Sequence, residues 1–236
     1  MKVRIKFAKQ GTAKFIGHLD VMRYFQKAMR RSDIAICYSG GFSPHQIMSF
    51  AAPLGVGITS IGEYFDIQVE DGENVSSMKE RLNQVMAEGF RIESCLRLPD
   101  SAGNAMSIVA AARYTVSFRP GYEPDGPGGA VRWMKGLEAF YRQDAVFITK
   151  KTKKGEKELD LKPLIYELCA KDGTVQMMIS TGSAENIKPE LVLATFAWQM
   201  GNELSPFAFL IQRDEVYAQS KEGAFIPLEA LGEEDG

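Results

Sequence analysis

The sequence predicts an α+β protein built as two tandem ferredoxin-like halves, each in the order β-α-β-β-α-β. Three observations carry that expectation. The start, Lys2-Val3-Arg4-Ile5-Lys6-Phe7, alternates charged and apolar residues, which is the period of a strand. The following segment changes to a helical period. A second round of strand-like and helix-like stretches then begins after residue 112, so the halves are expected at 1–99 and 112–231.

Taken in order, Val3–Ala8 is the first strand. After the turn at Gln10-Gly11-Thr12, residues 18–32 form a helix, with Leu19, Met22, Phe25 and Met29 facing the core. Ile34–Tyr38 reads as a short strand running into Ser39-Gly40-Gly41-Phe42-Ser43-Pro44-His45, a glycine loop stiffened by proline. Ile47–Leu54 and Gly62–Val69 read as strands, Met78–Ala87 as a helix and Arg91–Leu98 as a strand. Residues 99–111, rich in small side chains, are expected to connect the halves.

In the second half Tyr114–Phe118 is a strand, followed by a Gly/Pro-rich loop through Gly129. A helix carries Val131, Met134, Leu137, Ala139 and Phe140. Ala145–Lys150 and Lys157–Leu161 make a hairpin turned at Lys154-Gly155, and Leu164–Cys169 reads as a short helix. Thr174–Ser180 is a strand, Pro189–Met200 a helix with proline near its start, and Phe207–Tyr217 the last strand. The related order of the halves points to duplication, without a residue-level repeat. The tail Gly232–Gly236 is expected to fray.

The 236 residues, 45% hydrophobic and 25% charged, suit a globular protein with a sizeable core. No stretch approaches the roughly 18 apolar residues of a membrane span, and the alternating start is unlike a signal peptide. Three widely spaced cysteines (Cys37, Cys95, Cys169) fit reduced thiols and a cytoplasmic location. The net charge of −2 hides an asymmetry. Residues 1–50 hold nine cations (Lys2, Arg4, Lys6, Lys9, Lys14, Arg23, Lys27, Arg30, Arg31) against Asp20 and Asp33, a balance of +7 that leaves −9 for the remainder. Two explanations are open: an anionic partner for the basic part, or a basic subdomain docked on an acidic one.

Several chemistries lack their motifs. The sequence has no P-loop, and Gly55-x-Gly57 followed by Gly62 has the wrong spacing for a dinucleotide fingerprint. Cysteines close enough for an iron–sulfur cluster are missing, as is a Gly-x-Ser-x-Gly elbow. A zinc site would draw on Cys37, His18 and His45, whose spacing matches no common pattern. Neither cofactor nor metal is expected.

Candidate residues cluster in the first fifty. His18 opens the basic helix and His45 closes the glycine loop, and they are the chain's two histidines. A helix N-terminus beside a glycine loop offers N–H groups suited to phosphate. Asp20, Arg23, Lys27, Arg30 and Arg31 lie on an arc of the helix apart from the apolar stripe. Tyr24, Tyr38 and Phe42 offer faces for stacking bases. The structural alternatives are a half-buried His18, an ordinary solvated basic face, and Phe42 and Pro44 plugging the core.

The residues Phe15-x-x-His18-Leu19-Asp20-x-Met22-Arg23, Ala28-x-Arg30-Arg31, Tyr38-Ser39-x-Gly41-Phe42-Ser43-Pro44-His45 and Ser49-Phe50-Ala51 together resemble the radical-SAM-linked protein family. That family is a domain of unknown function found alone or fused behind radical SAM proteins. Pro53-Leu54, Val56-Gly57, Ser60 and Gly62-Glu63-Tyr64 continue the similarity, as do Asp160-Leu161-Lys162-Pro163, with lysine for the usual arginine, and Arg213. Gly17 and Ser43 depart from an expected serine and asparagine. The resemblance implies a radical SAM enzyme as partner and, through neighbourhoods connected with RNA processing, an RNA substrate. It implies no activity.

The expected function is therefore a non-catalytic recognition module that presents RNA or another polyanion to a radical SAM enzyme. Its binding residues would be His18, Asp20, Arg23, Lys27, Arg30, Arg31, Tyr38, Gly41, Phe42 and His45. The alternatives are a small RNA endonuclease using His18 and His45 as acid and base, and a protein–protein adaptor with an exposed apolar patch.

Overall fold

The computed structural model describes all residues except 125–128, 153–154, 172, 184, 203, 206 and 234–236. Its elements are mixed α and β, as the sequence predicts. The chain forms two compact units, Met1–Ala111 with Arg213–Gly236, and Ala112–Gln212. The second expected half, 112–231, thus differs from the second unit: the chain from Arg213 onward packs with the first. Parts of the expected Gly/Pro loop and of the Lys154-Gly155 turn lie outside the described residues.

The first unit runs β1 (Lys2–Lys9), a 3-10 turn (Gly11–Phe15), α1 (His18–Arg31), β2 (Met48–Phe50), β3 (Thr59–Gln68), α2 (Val75–Asn83) and β4 (Phe90–Leu98). That is the ferredoxin-like order. β1 pairs antiparallel with both β3 and β4, placing Ile5 opposite Phe65 and Cys95, and the short β2 pairs with the second half of β3. A short helix α3 (Ala105–Ile108) follows, where a plain connection is expected, and β5 (Val109–Phe118) leaves the unit. The chain returns as β10 (Phe209–Gln219), whose residues from Arg213 onward lie beside β3, and closes with β11 (Phe225–Pro227) and a 3-10 turn at Leu228–Leu231.

Why these residues adopt these elements is visible locally. Val3, Ile5 and Phe7 of β1 are fully or almost fully buried, beneath Phe25 and Met29 of α1 and among Phe65 and Ile67. Phe7, Phe25 and Phe65 meet with ring centroids 4.7–5.6 Å apart, edge-on or tilted, the arrangement aromatic quadrupoles favour. The core face of α1 is Val21, Phe25, Ala28 and Met29; Leu19 is 66% exposed, because the buried arc begins at Val21. α1 ends where the Ser32 hydroxyl donates to Ala28 O (3.0 Å) and Asp33 takes a left-handed φ of 53°. The Asn74 side chain accepts from Ser77 N (3.0 Å) and caps α2.

The charged face of β1 is also covered. Arg4, 1% exposed, pairs bidentately with Asp66 (2.8 and 2.9 Å) and donates to Leu228 O (3.1 Å). Lys6 bridges Glu215 (2.8 Å) and Glu229 (2.7 Å), and Tyr64 donates to Glu215 (2.6 Å). Burial first, then Glu215, pushes the Tyr64 hydroxyl pKa far up, so it stays a donor. Near the tail, Glu233 exchanges backbone bonds with Arg97 (2.9 and 2.8 Å), so this part of the tail is paired, against the expectation of fraying.

The second unit takes β5 from Ala112, then α4 (Gly129–Tyr141), the hairpin β6 (Phe147–Thr152) and β7 (Gly155–Asp160), β8 (Ile165–Lys171), β9 (Thr174–Ser180) and α5 (Pro189–Gln199). With the opening residues of β10, strand order is β10-β5-β9-β8. This is again β-α-β-β-α-β, with the hairpin inserted before β8. Trp133 of α4 packs against Phe196 of α5 (4.8 Å) and Phe118 of β5 (5.0 Å).

Three local expectations are corrected. Leu164–Cys169 is not a helix; Ile165–Lys171 is β8. The register shifts between Ile165 and Glu167, so Ile165 and Leu168, three apart, are both buried and imitate a helical period. Ile34–Tyr38 is no strand but two isolated bridges, Ile36 to Val69 and Tyr38 to Gln46. Ile47–Leu54 shortens to the three residues of β2.

Gly62 marks a close approach of β10 to β3. A Cβ there would fall 2.8 Å from Glu215 Cα and closer still to the Asp214 carbonyl, and backbone cannot yield as a flexible side chain does. Gly62→Ala is expected to destabilise the protein by about 1–3 kcal/mol, the usual cost of overpacking, measured by urea unfolding; an unchanged midpoint would contradict this packing.

Candidate functional site

Two features of the first unit hold chemistry-bearing side chains. The first is internal and begins with Lys9, the last residue of β1. Phe7 lies opposite Glu63 on β3, but the register then shifts so that Lys9 lies opposite Ser60. Lys9 is 2% exposed, and its ammonium donates to Ile16 O (2.7 Å), holding the chain that enters α1. His18, the first residue of α1, stands half-buried with its ring edge-on to Phe50 (centroids 5.5 Å, 89°). Lys9, His18, Glu63, Phe7, Val21 and Phe50 are among the walls of a cavity of about 10 Å³, room for a single water.

Behind the cavity Glu63 forms a buried ion pair with Arg213 of β10. Arg213 Nε donates to Oε1 (2.7 Å) and Nη2 to Oε2 (2.5 Å), and Nη2 also reaches Ala52 O (3.0 Å). Ser60 fixes the strand, its hydroxyl donating to Arg213 O (2.9 Å). The cluster is thus two cations and one carboxylate, with the carboxylate held by the guanidinium. Burial lowers the Lys9 pKa, against the opposing pull of Glu63, and Arg213 lowers it further. Burial also lowers that of His18; Glu63 opposes this, while Lys9 and Arg213 add to it.

The second feature is on the surface. Arg23 and Asp20 are 71% and 66% exposed and pair at 3.2 Å, while Lys27 and Arg30 are exposed one and two turns on. Neither Lys27 nor Arg30 has an ion-pair partner among the described residues. Arg31 bends back, donating to Val85 O (3.2 Å) with its guanidinium 5.7 Å from the Tyr24 ring centre. Tyr24 itself stacks on Phe90 (4.6 Å) and accepts from Ala87 N (2.6 Å), so it belongs to the packing and offers no stacking face.

The glycine loop closes a small hairpin: Ile47 N donates to Cys37 O (2.9 Å), and Ser39 N to His45 O (2.8 Å). The Ser39 hydroxyl also lies 2.8 Å from His45 Nδ1. Gly41 takes a φ of 99°, which a side chain would resist, and sets Phe42 at the tip, wholly exposed. Phe42 therefore does not plug the core, and Tyr38 is half exposed. The buried Gln46 ties the hairpin to α1 by donating to Gln26 O (3.2 Å). Gln26 lies about 12 Å along the helix axis from His18 at 1.5 Å per residue. The structure therefore brings the loop to the middle of α1. His18 faces the internal cavity, whose walls do not include His45.

Charge and histidine placement in the sequence mark His18 but not the meeting of Lys9, Glu63 and Arg213. A signal existed: Lys9 is in phase with Val3, Ile5 and Phe7, and Arg213 with Phe209 and Ile211. A charge at a core-phase position needs a partner inside. The Asp160-Leu161-Lys162-Pro163 element is a turn, where Asp160 accepts from Val146 N (2.8 Å) and Lys162 N (2.9 Å). The three cysteines are free, and burial pushes the Cys95 thiol up to about 12, which leaves it unreactive. Among the described residues there is no metal-holding group of histidine, cysteine, aspartate or glutamate, and no helix long and apolar enough to cross a membrane.

Comparison with known proteins adds the following. A family model described as "Uncharacterized protein conserved in bacteria (DUF2344)" matches residues 2–189. No curated protein matches. Among solved structures, a chain of "Crystal Structure of a Cbf5-Nop10-Gar1 Complex" is similar with a TM-score of 0.47 and 8% identity, covering 91% of this chain. This chain spans 48% of that one.

Because His18 is depressed below its ordinary 6.5, the unfolded chain binds the proton and the folded chain does not between the two values. Stability contributed here rises with pH through that window and is lost as pH falls through it. Glu63→Gln removes the group that holds the His18 pKa up, so it should fall further, as followed by NMR of the His18 ring; an upward move would contradict the assigned electrostatics.

Proposed function

From the premise that the chain belongs to the family described as uncharacterised and conserved in bacteria, we propose that it is a non-catalytic module that binds RNA on the basic face of α1 and the adjoining glycine loop. The observation that carries this reading is the exposure of Lys27 and Arg30, unpaired among the described residues, in line with Arg23. Cations placed in water three to four residues apart on one helix face are available to successive phosphates. Phe42 and Tyr38, exposed on a hairpin tied to the same helix through Gln46, supply faces on which unpaired bases stack. The single carboxylate of α1, Asp20, engages Arg23, and among the described residues it forms no ion pair with Lys27 or Arg30.

The nuclease reading has less support, since His18 opens on a cavity the size of one water and His45 is engaged by Ser39. General acid–base cleavage needs both groups within reach of one reacting phosphate. A radical SAM enzyme as partner rests on the resemblance, most specific over residues 15–64, and belongs to the same proposal: the module holds the RNA and the enzyme acts on it.

The test is binding of single-stranded RNA across a salt series. Affinity should fall steeply with salt, and R23E/K27E/R30E should flatten the slope of log K against log salt by about 2, three phosphate contacts at roughly 0.7 each. Absence of binding at low salt, or an unchanged slope in the triple variant, would overturn the proposal.

A further inference from the structure

Among the described residues the internal cluster sets two cations, Lys9 and Arg213, against one carboxylate, Glu63. Glu63 is engaged on both oxygens by Arg213, so it reaches Lys9 through its field and not through a hydrogen bond. Lys9 remains, 2% exposed, with three ammonium donors and one acceptor, Ile16 O, among the described residues. A buried cation in this state gives up hydration without an equal return, and a counter-anion restores it. The cavity that Lys9 shares with His18 and with the Arg213-bound carboxylate of Glu63 has room for one oxygen atom. From α1 its walls take His18 and Val21, and the N-cap Gly17 has no side chain to cap the first turn of this fourteen-residue helix.

We propose that this cavity is a phosphate site, in which one oxygen of a terminal phosphate group seats on the Lys9 ammonium and His18 donates to a second oxygen at the mouth. A terminal group is specified because the space admits a single oxygen, and a terminal phosphate brings one sugar to so narrow a site where a diester brings two. The chemical class, a phosphate of RNA, rests on the reading of α1 as an RNA-binding face; the anion site itself rests on Lys9, His18 and the cavity.

The two histidines make the test direct. Ring signals of His18 and His45 are followed by NMR while inorganic phosphate is added at constant ionic strength against chloride. The expected result is a saturable response of His18, with its pKa moved upward as the anion favours the imidazolium, and no comparable response of His45. In Lys9→Met, affinity for phosphate should drop about tenfold or more, the loss of one charge-assisted hydrogen bond, while Lys9→Arg retains much of it. A His18 ring indifferent to phosphate in the wild-type protein would overturn the site whether or not Lys9→Met folds, and so would a Lys9→Met variant that responds like wild type.

A short RNA with and without a terminal phosphate identifies the source. Tighter binding of the phosphorylated end supports the RNA assignment, and equal binding overturns it in favour of a small phosphorylated molecule. R23E/K27E/R30E separates the two readings: loss of RNA affinity with a preserved His18 response to phosphate leaves the cavity site standing on its own.

Discussion

The bidentate pair between Glu63 and Arg213 is the contact on which the first unit depends. It joins residues 150 positions apart and fixes the returning strand β10 beside β3, where Gly62 already requires backbone to approach backbone. The pair is worth little as a net source of stability, since a buried ion pair scarcely outweighs the hydration it gives up. Its effect lies in what it specifies. With both carboxylate oxygens occupied, Glu63 cannot fully answer Lys9, and the charge at the entrance to α1 stays in excess. The same residues that close the fold thereby set the electrostatics around His18.

The charge asymmetry of the first fifty residues resolves into two populations. Arg4, Lys6 and Lys9 point into the protein, and the first two meet Asp66, Glu215 and Glu229 there. Here a basic segment does dock on acidic residues of the same chain. Arg23, Lys27 and Arg30 remain in water on α1. The intramolecular explanation of the asymmetry therefore holds for Arg4 and Lys6, while Arg23, Lys27 and Arg30 are the exposed cations that the proposed binding face uses.

Much of the fold was legible because it follows from period. β9 coincides with the expected Thr174–Ser180, α1 and α5 with the helices expected at 18–32 and Pro189–Met200, and the β-α-β-β-α-β order recurs in both units. The misreading of β8 has a local cause, a register shift that places Ile165 and Leu168 on one side. The grouping of Arg213–Gly236 with the first unit depends on pairing across the whole chain, which no local pattern encodes. The site was half legible. Two histidines and a basic helix marked the region, whereas the meeting of Lys9, Glu63 and Arg213 follows from strand register.

Interior cations hold the fold and those on α1 do not, and paired unfolding measurements separate the two groups. Urea denaturation of R23Q/K27Q/R30Q should show stability within about 0.5 kcal/mol per site of the wild type, as for exposed substitutions. Arg4→Met, which strands Asp66, should cost about 3–5 kcal/mol. A surface variant as damaged as Arg4→Met, or an Arg4→Met protein as stable as wild type, would contradict the account.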